Sequence, residues 1–390
     1  MGYKLSGKVN GLERSATDEI DNVVKEMKRA GITDIISFGG GEPVFDTPEV
    51  AVNATVAALR AGRTKYEPTA GDYELREEIS KKLKRQNRID VPPEQVVVTP
   101  GGKFALYLAF QAVLEAGDKV VVIEPAWVSY TPMATLAGAE VVHVPTFERD
   151  HWQPDLARLR AAMDRHVRFV VVNSPCNPTG AVYPPALIRD IARLAEQYGA
   201  LVVSDEIYED MIYTGEHYSP AADFENVITV NGFSKCFAMT GWRLGYVAAP
   251  PEIVEGMIKI YQHSATCVNA FAQAGAIEAL RSPEARQETL RMTAGYRERG
   301  ELITRLLNES GLFRAEMPAG AFYSFPAFTF HKSSLEVANL LLQKAHIATV
   351  PGSAFGACGE GYLRLSYSTS KEAIVEAFER IRRLAKELNA

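Results

Sequence analysis

The stretch "RFVVVNSPCNPTGAVYPPALIRDIARLAEQYGALVVS", residues 168–204, holds two short valine-rich runs with a helical segment between them. The runs RFVVVN and ALVVS are almost continuously apolar, which is typical of strands that are covered on both faces. The segment between them begins with proline, spaces its apolar residues by three and four positions, and ends with glycine, as a helix does. This order predicts two parallel strands joined by a right-handed crossover.

The same pattern extends in both directions along the chain. Further strands are predicted at VVVT (96–99), KVVVI (119–123) and VITV (227–230), and a helix at FALYLAFQAVLEAG (104–117). The sequence therefore predicts an α/β fold with a mostly parallel central sheet and helices on both faces.

The pattern changes after about residue 283, where long amphipathic helices alternate with short strands such as AFYSF (321–325) and YLRLSYS (362–368). We expect an N-terminal segment (1–46) that contributes to a small domain, a large domain (47–282) and a small C-terminal domain (283–390). The last stretch, 371–390, is predicted to be a helix that packs one apolar face on the body, with Ile374, Phe378, Ile381 and Leu388 on that face.

Composition excludes several classes of function. The chain has 390 residues, a net charge of −6 and no basic block, which disfavours binding to nucleic acid or to an anionic membrane. No apolar run is long enough to span a bilayer, and the N-terminus does not resemble a signal peptide. The four cysteines are far apart and the seven histidines lack metal-ligand spacing, so we expect reduced thiols, a cytoplasmic protein and no metal site. The cysteines are Cys176, Cys236, Cys267 and Cys358.

Residues with useful chemistry follow almost every predicted strand. Ligands of open α/β sheets bind beyond the carboxyl ends of the strands. At one of those ends the chain has a Gly-Gly pair before a helix, and a helix N-terminus is an anion site. The side chains at the strand ends are Trp127, Asn177, Asp205, Tyr208, Lys235 and Arg243. Taken singly, Asp205 would serve equally well as a helix cap, and Lys235 or Arg243 as a surface charge. Together they suit a flat aromatic cofactor with a phosphate tail, with an acid for its ring nitrogen and a lysine to form a Schiff base.

Several motifs resemble those of one protein family and follow one another in the same order as in that family. They are GEPVFDTP (41–48), KYEPTAGDYELREEI (65–79), PAWVSY (125–130), NSPCNPTGAVY (173–183), VVSDEIYE (202–209), NGFSKCFAMTGWRLG (231–245), PGSAFG (351–356) and EGYLRLSYS (360–368). The chain is similar in these motifs to the class I aminotransferases, which carry pyridoxal 5′-phosphate, and above all to the bacterial and archaeal aspartate and aromatic enzymes. The resemblance runs from about residue 15 to the end. Two positions depart from it: Val44, where aspartate is frequent, and Asn231, where serine is frequent.

The resemblance implies roles around the cofactor ring. Lys235 would be the attachment point of the cofactor and the proton shuttle, and Asp205 would keep the pyridine nitrogen protonated. Tyr208 and Asn177 would bind the phenolic oxygen, and Trp127 would stack on the ring.

The resemblance also implies how the phosphate is bound. Ser234, Arg243 and the backbone at Gly102 and Lys103 would hold it. Tyr66 would reach the phosphate of the neighbouring subunit, which makes a homodimer with shared active sites the expected assembly.

The implied substrates are small amino acids and 2-oxo acids. Arg364 would bind the α-carboxylate, with help from the Gly41 backbone, and Trp127 and Asn177 would line the same space. The Lys103 ammonium would reach the distal carboxylate of a dicarboxylic substrate. This predicts transfer to 2-oxoglutarate by a ping-pong mechanism, with aspartate as first donor and aromatic amino acids second.

Two alternatives remain open from the sequence. The resemblance implies fold type I of the pyridoxal-phosphate enzymes, in which a C–S β-lyase or another enzyme of that fold type is an alternative. The β-lyase would share Lys235, Asp205 and Arg364, and fold does not separate it from a transaminase. A regulator that binds pyridoxal phosphate is the other alternative, and the lack of a helix-turn-helix extension or basic arm speaks against it.

Overall fold

The computed structural model describes residues 3–329 and 331–388 of the 390-residue chain. The strands are β1 (Ile36–Ser37), β2 (Val96–Thr99), β3 (Lys119–Glu124), β4 (Glu140–Pro145), β5 (Val167–Asn173), β6 (Leu201–Asp205), β7 (Val227–Gly232), β8 (Gly245–Ala248), β9 (Phe313–Arg314), β10 (Tyr323–Ser324), β11 (Ala327–Phe328), β12 (Ile347–Ala348), β13 (Val350–Pro351) and β14 (Leu363–Ser366). The α-helices are α1 (Gly7–Asn10), α2 (Ala16–Arg29), α3 (Glu49–Arg60), α4 (Tyr73–Lys82), α5 (Gly102–Val113), α6 (Tyr130–Ala137), α7 (Leu156–Ala162), α8 (Pro185–Gln197), α9 (Pro251–Gln262), α10 (Ala270–Arg281), α11 (Pro283–Glu309), α12 (Ser334–Ala345) and α13 (Lys371–Leu388).

The central sheet has seven strands in the order β2-β8-β7-β6-β5-β3-β4. The pairs from β4 through β7 are parallel, and only β8 runs antiparallel to its neighbours β7 and β2. The predicted strands at 96–99, 119–123, 168–173, 200–204 and 227–230 are confirmed to within a residue or two. The strands β4 and β8 were not predicted from the sequence.

Alternate residues of the sheet strands enter two separate cores. Phe169 and Val171 of β5 pack with α5, α6 and α9, whereas Val170 and Val172 pack with α7 and α8 on the other face. This two-sided burial explains why the strands read as continuous apolar runs. Because both faces of the sheet are apolar, polar side chains are found at the carboxyl ends of the strands.

The N-terminal segment pairs with the C-terminal part of the chain. In the short parallel sheet of β1 and β12, Ile36 lies opposite Ile347. Helix α13 buries Ile374, Phe378 and Ile381 against the C-terminal core, while the side chain of Leu388 lies outside the described residues. The domain limits at residues 46 and 282 remain a prediction.

Candidate active site

A cavity of about 310 Å³ lies at the carboxyl ends of the parallel strands. Asn173 and Asp205, the last residues of β5 and β6, form part of its wall. All but one of the residues selected from the sequence line it: Gly41, Gly102, Lys103, Trp127, Asn177, Asp205, Tyr208, Ser234, Lys235, Arg243 and Arg364.

Asp205 is a buried carboxylate with defined partners. Its Oδ2 accepts a hydrogen bond from the Tyr130 hydroxyl over 2.7 Å, and its Oδ1 accepts one from the Ile207 backbone N–H over 3.3 Å. Burial raises the pKa of Asp205 to about 6, although the hydrogen bond from Tyr130 acts in the opposite direction. A neighbouring cation or N–H donor would favour the ionised form of this carboxyl group.

The turn that follows Asp205 has two faces. Asp205 and Tyr208 face the cavity, while Glu206 and Glu209 belong to a buried polar cluster outside it. Glu209 forms an ion pair with the ammonium of Lys82, which is itself buried. The turn is therefore anchored on the side that faces away from the cavity.

The buried cluster joins acidic side chains to amide and basic ones. Asn87 Nδ2 donates to Glu206 over 3.1 Å and to Glu209 over 2.6 Å, and His217 Nε2 lies 3.0 Å from Glu206. Burial alone would lower the pKa of His217, but the charge and hydrogen bond of Glu206 and the charge of Glu209 together raise it. The ligating atoms of Glu206, Glu209 and His217 lie within 4.8 Å of one another, an arrangement that the histidine spacing did not predict. The Lys82 ammonium already forms an ion pair with one member of this group, Glu209.

Lys235 lies just beyond the end of β7. Its ammonium donates a hydrogen bond to the carbonyl of Gly41. Burial lowers the pKa of Lys235 to about 8, because the charged form loses its hydration. The lysine therefore offers a neutral amine at a pH where an ordinary lysine would not.

Arg364 is the largest fully buried side chain of the cavity wall. Its Nη1 donates to Asn177 Oδ1 over 3.2 Å and its Nη2 to the carbonyl of Gly39. Its Nε has no hydrogen-bond partner among the residues that the structure describes. A buried guanidinium with a free donor is ready to bind a carboxylate.

One end of the cavity is suited to an anion. Helix α5 begins at Gly102 with its backbone N–H groups at the cavity, and Ser234 lies beside it. Gly101 has φ of +82°, and a Cβ there would lie 2.7 Å from Arg243 Nη2, so glycine is required for this approach. The guanidinium of Arg243 is fixed by the carbonyls of Thr240 and Pro100.

Lys103 is exposed at the rim of the cavity. Its ammonium lies 5.1 Å from the centre of the Trp127 ring, and no ion pair involves it within the described part of the chain. The same indole packs edge-on against Tyr130. Lys103 thus places an uncompensated positive charge beside a flat ring.

Two tyrosines of the site were missed by sequence reasoning. Tyr130 has the hydroxyl that binds Asp205, and Tyr323 has its hydroxyl 2.8 Å from that of Tyr208. A Cβ at Gly41 would lie 2.8 Å from the Tyr323 hydroxyl, so the glycine makes room for this pair. Burial raises the pKa of Tyr208 further above its ordinary value, and Tyr323 adds to the effect.

Tyr66 is the one selected residue that does not line the cavity of its own chain. Its side chain is 87% exposed, in a loop between α3 and α4. No hydrogen bond or ring contact involves Tyr66 among the residues that the structure describes.

The N-terminal helix α2 closes one side of the cavity. Thr17, Asp18 and Asp21 line it from this helix, and Glu42 lines it from the loop after β1. This part of the wall carries negative charge, in contrast to the cationic groups described above. None of these residues was selected individually from the sequence.

Comparison with known proteins identifies the family. The family model described as aminotransferase class I and II matches residues 33–381. The chain belongs to this family. It is therefore an aminotransferase with the α/β fold that the sequence predicted.

The relatives of this aminotransferase match over nearly their full lengths. The aspartate/prephenate aminotransferase of Thermus thermophilus is 43% identical over 97% of this chain and 98% of its own. Aromatic-amino-acid aminotransferase 2 of Thermococcus litoralis is 41% identical over 92% of this chain and 93% of its own. The solved structure of aspartate aminotransferase from Thermus thermophilus with maleate has a TM-score of 0.95 at 41% identity, covering 98% of this chain and 100% of that one.

No helix within residues 3–329 or 331–388 of the aminotransferase is both long and apolar enough to cross a membrane.

Proposed function

We propose that this aminotransferase binds pyridoxal 5′-phosphate in the cavity and transfers the amino group of an L-amino acid to 2-oxoglutarate by a ping-pong mechanism. Aspartate is the first donor and aromatic amino acids are the second. The observation that carries the proposal is that Lys235, Asp205 and Arg364 line one cavity at the ends of the parallel strands.

The donor set fits the cofactor. Lys235 offers an amine with a lowered pKa, Asp205 a buried carboxylate, and the start of α5 with Arg243 a phosphate site. The indole of Trp127 offers a flat surface on which a ring stacks. When bound, pyridoxal phosphate supplies an electron sink for the negative charge that develops at the α-carbon of the substrate.

The polar residues around the ring have separate tasks. The Lys235 amine would act as the general base that takes the proton from the α-carbon of the substrate and then, once protonated, as the general acid that gives it up. Asp205 holds a proton on the ring nitrogen, and the Tyr130 hydroxyl keeps its carboxylate in place. Tyr208 and Asn177 donate to the phenolic oxygen.

Different groups of the cavity would hold the phosphate and the substrate. Backbone N–H groups at Gly102 and Lys103, with Ser234 and Arg243, bind the phosphate. Arg364 binds the α-carboxylate of the substrate as a fork, assisted by the backbone at Gly41.

The choice of substrate is supported by Lys103 and by the relatives. The Lys103 ammonium at the cavity rim forms no ion pair with the described residues and suits the distal carboxylate of aspartate or 2-oxoglutarate. The relatives named above are an aspartate/prephenate aminotransferase and an aromatic-amino-acid aminotransferase.

A homodimer with shared active sites is part of the proposal. The exposed Tyr66 has no partner in the described part of its own chain, and the hydroxyl is free to reach the phosphate in a neighbouring subunit. We also propose a cytoplasmic location, supported by four free cysteines that suit a reducing compartment.

Borohydride reduction tests the cofactor assignment. Reduction of the purified protein with bound pyridoxal phosphate is expected to fix the cofactor to Lys235, as peptide mass spectrometry would report. Lys235→Ala is expected to abolish turnover while retaining cofactor binding through the phosphate site. Lys259→Ala, which removes an exposed lysine paired with Glu255, serves as the control. A protein that takes up no pyridoxal phosphate, or that is labelled at another lysine, would overturn the proposal.

A further inference from the structure

The negative wall of the cavity is not accounted for by the proposed function. A cavity for dicarboxylic acids needs cations, which Lys103 and Arg364 supply. The facing wall nevertheless presents the carboxylates of Asp18 and Asp21 from α2 and that of Glu42. Acidic groups at this position would repel the distal carboxylate of a substrate.

Asp21 stands out among the three because its carboxylate is both half-buried and without a partner among the described residues. Glu42 accepts a hydrogen bond from Thr240 over 2.6 Å, and Asp18 is exposed to solvent. Asp21 is half-buried, and its carboxylate takes part in no hydrogen bond or ion pair with any residue that the structure describes. Partial burial of a carboxylate without a hydrogen-bond donor costs free energy of desolvation, and a ligand that donates a hydrogen bond would reduce this cost.

Asp21 lies near the backbone that holds Arg364, the residue proposed to bind the substrate carboxylate. A Cβ at Gly39 would lie 3.8 Å from Asp21 Oδ1, and the carbonyl of Gly39 is the one that binds Arg364. Burial raises the pKa of Asp21, and the charges of Lys25 and Arg364 partly oppose that shift. The carboxylate therefore lies within electrostatic range of the group that would bind the substrate.

We propose that Asp21 is a specificity-determining residue. Its carboxylate accepts a hydrogen bond from amino donors whose side chain ends in an N–H or O–H group, and it disfavours donors that end in a carboxylate. The inference rests on the proposed function, in which this cavity holds the amino acid. Because Lys103 attracts a distal carboxylate and Asp21 repels it, the opposed charges give the enzyme a broad range of donors.

Aspartate and asparagine test the proposal, since they have the same shape and differ in a carboxylate or an amide. We would measure kcat/KM in single-turnover half-reactions for both donors, with phenylalanine as a donor that has neither group. In Asp21→Asn, the ratio of kcat/KM for aspartate to that for asparagine is expected to rise about tenfold or more. The value for phenylalanine is expected to stay within about twofold.

Glu19→Gln is the matched control. It removes one negative charge from the same helix, but Glu19 is exposed, pairs with Arg14 and does not line the cavity. If both variants shift the ratio equally, the effect is long-range and the proposal is overturned. An unchanged ratio in Asp21→Asn overturns it as well. Should Asp21→Asn not fold, Asp21→Ser permits the same comparison.

Equilibrium binding gives a readout without turnover. Calorimetry with maleate, a dicarboxylate, is expected to show about tenfold tighter binding to Asp21→Asn than to the unmodified enzyme. The monocarboxylate 3-phenylpropionate is expected to bind both equally. An equal gain for the two probes contradicts the proposal. A protein that transaminates none of the donors would instead contradict the proposed function, so the two failures are distinguishable.

Discussion

Tyr130 and Asp205 are joined by one hydrogen bond at the base of the cavity, in which the phenol donates to Oδ2 over 2.7 Å. Both side chains are buried, so water does not replace this donor when it is lost. The hydroxyl lowers the pKa of Asp205 against the effect of burial. Tyr130 thus acts on the chemistry through the carboxylate that it holds.

Tyr130→Phe is expected to slow the reaction more than it weakens substrate binding. Loss of a hydrogen bond to a buried charged group costs about 1.5–3 kcal/mol, so the single-turnover rate with aspartate is expected to fall about tenfold or more. Stopped-flow measurement of rate and of apparent substrate affinity would separate the two effects. Tyr198→Phe, on the surface at the end of α8, is the control. A weaker affinity with an unchanged rate would contradict this role.

The lowered pKa of Lys235 predicts the pH dependence of cofactor attachment. Only the neutral amine attacks an aldehyde, and the neutral form predominates above the pKa. The rate at which cofactor-free protein attaches pyridoxal phosphate is therefore expected to rise with pH and to level off above about 8. An ordinary lysine, with a pKa of 10.5, would keep the rate rising beyond pH 10. Absorbance of the attached cofactor across this range distinguishes the two outcomes.

Lys103→Ala tests recognition of the distal carboxylate. Loss of a charge-assisted contact worth about 1–3 kcal/mol is expected to raise KM for aspartate and 2-oxoglutarate by about five- to a hundredfold. The half-reaction with phenylalanine is expected to be nearly unchanged, because its side chain has no carboxylate. Equal losses with aspartate and phenylalanine would mean that Lys103 serves the phosphate. Lys84→Ala, at an exposed ion pair with Asp90, is the control.

A mixed dimer tests whether Tyr66 acts across subunits. If chains with Tyr66→Phe and with Lys235→Ala associate, one site contains both changes and the other contains neither. Differently tagged chains, purified as the mixed species, are expected to retain one site with the cofactor affinity of the unmodified enzyme. A mixed dimer with only the affinity of the Tyr66→Phe parent would show that the tyrosine acts within its own chain. An active monomer in sedimentation would exclude the shared site altogether.

The sequence predicted the sheet well where burial on both faces leaves continuous valine runs, as in β5 and β6. It missed β4 because Glu140 and His143 interrupt its apolar pattern at the edge of the sheet. Strand β8 was missed because four residues after a turn give too little periodicity.

The residues at strand ends could be selected because parallel strands bring their carboxyl ends together. Tyr130, Tyr323 and Asp21 could not, since each comes from a helix or from the C-terminal part of the chain and its position depends on packing. No local signal distinguishes Asp21 from an ordinary solvated carboxylate on an amphipathic helix. The role of Tyr66 stays a prediction, because a single chain does not show what the side chain would contact in a neighbouring subunit.

The anchoring of the turn after Asp205 also bears on how the protein folds. Glu209 meets Lys82 across 127 residues of chain, Asn87 meets Glu206 across 119, and Asn87 meets Ser219 across 132. Contacts this distant in sequence form only after large loops have closed, which makes them slow to form. An intermediate with a formed sheet but an undocked α4 would hold Asp205 and Tyr208 on an unsupported turn. Competence to bind the cofactor ring thus depends on these long-range contacts, and its recovery during refolding reports when they have formed.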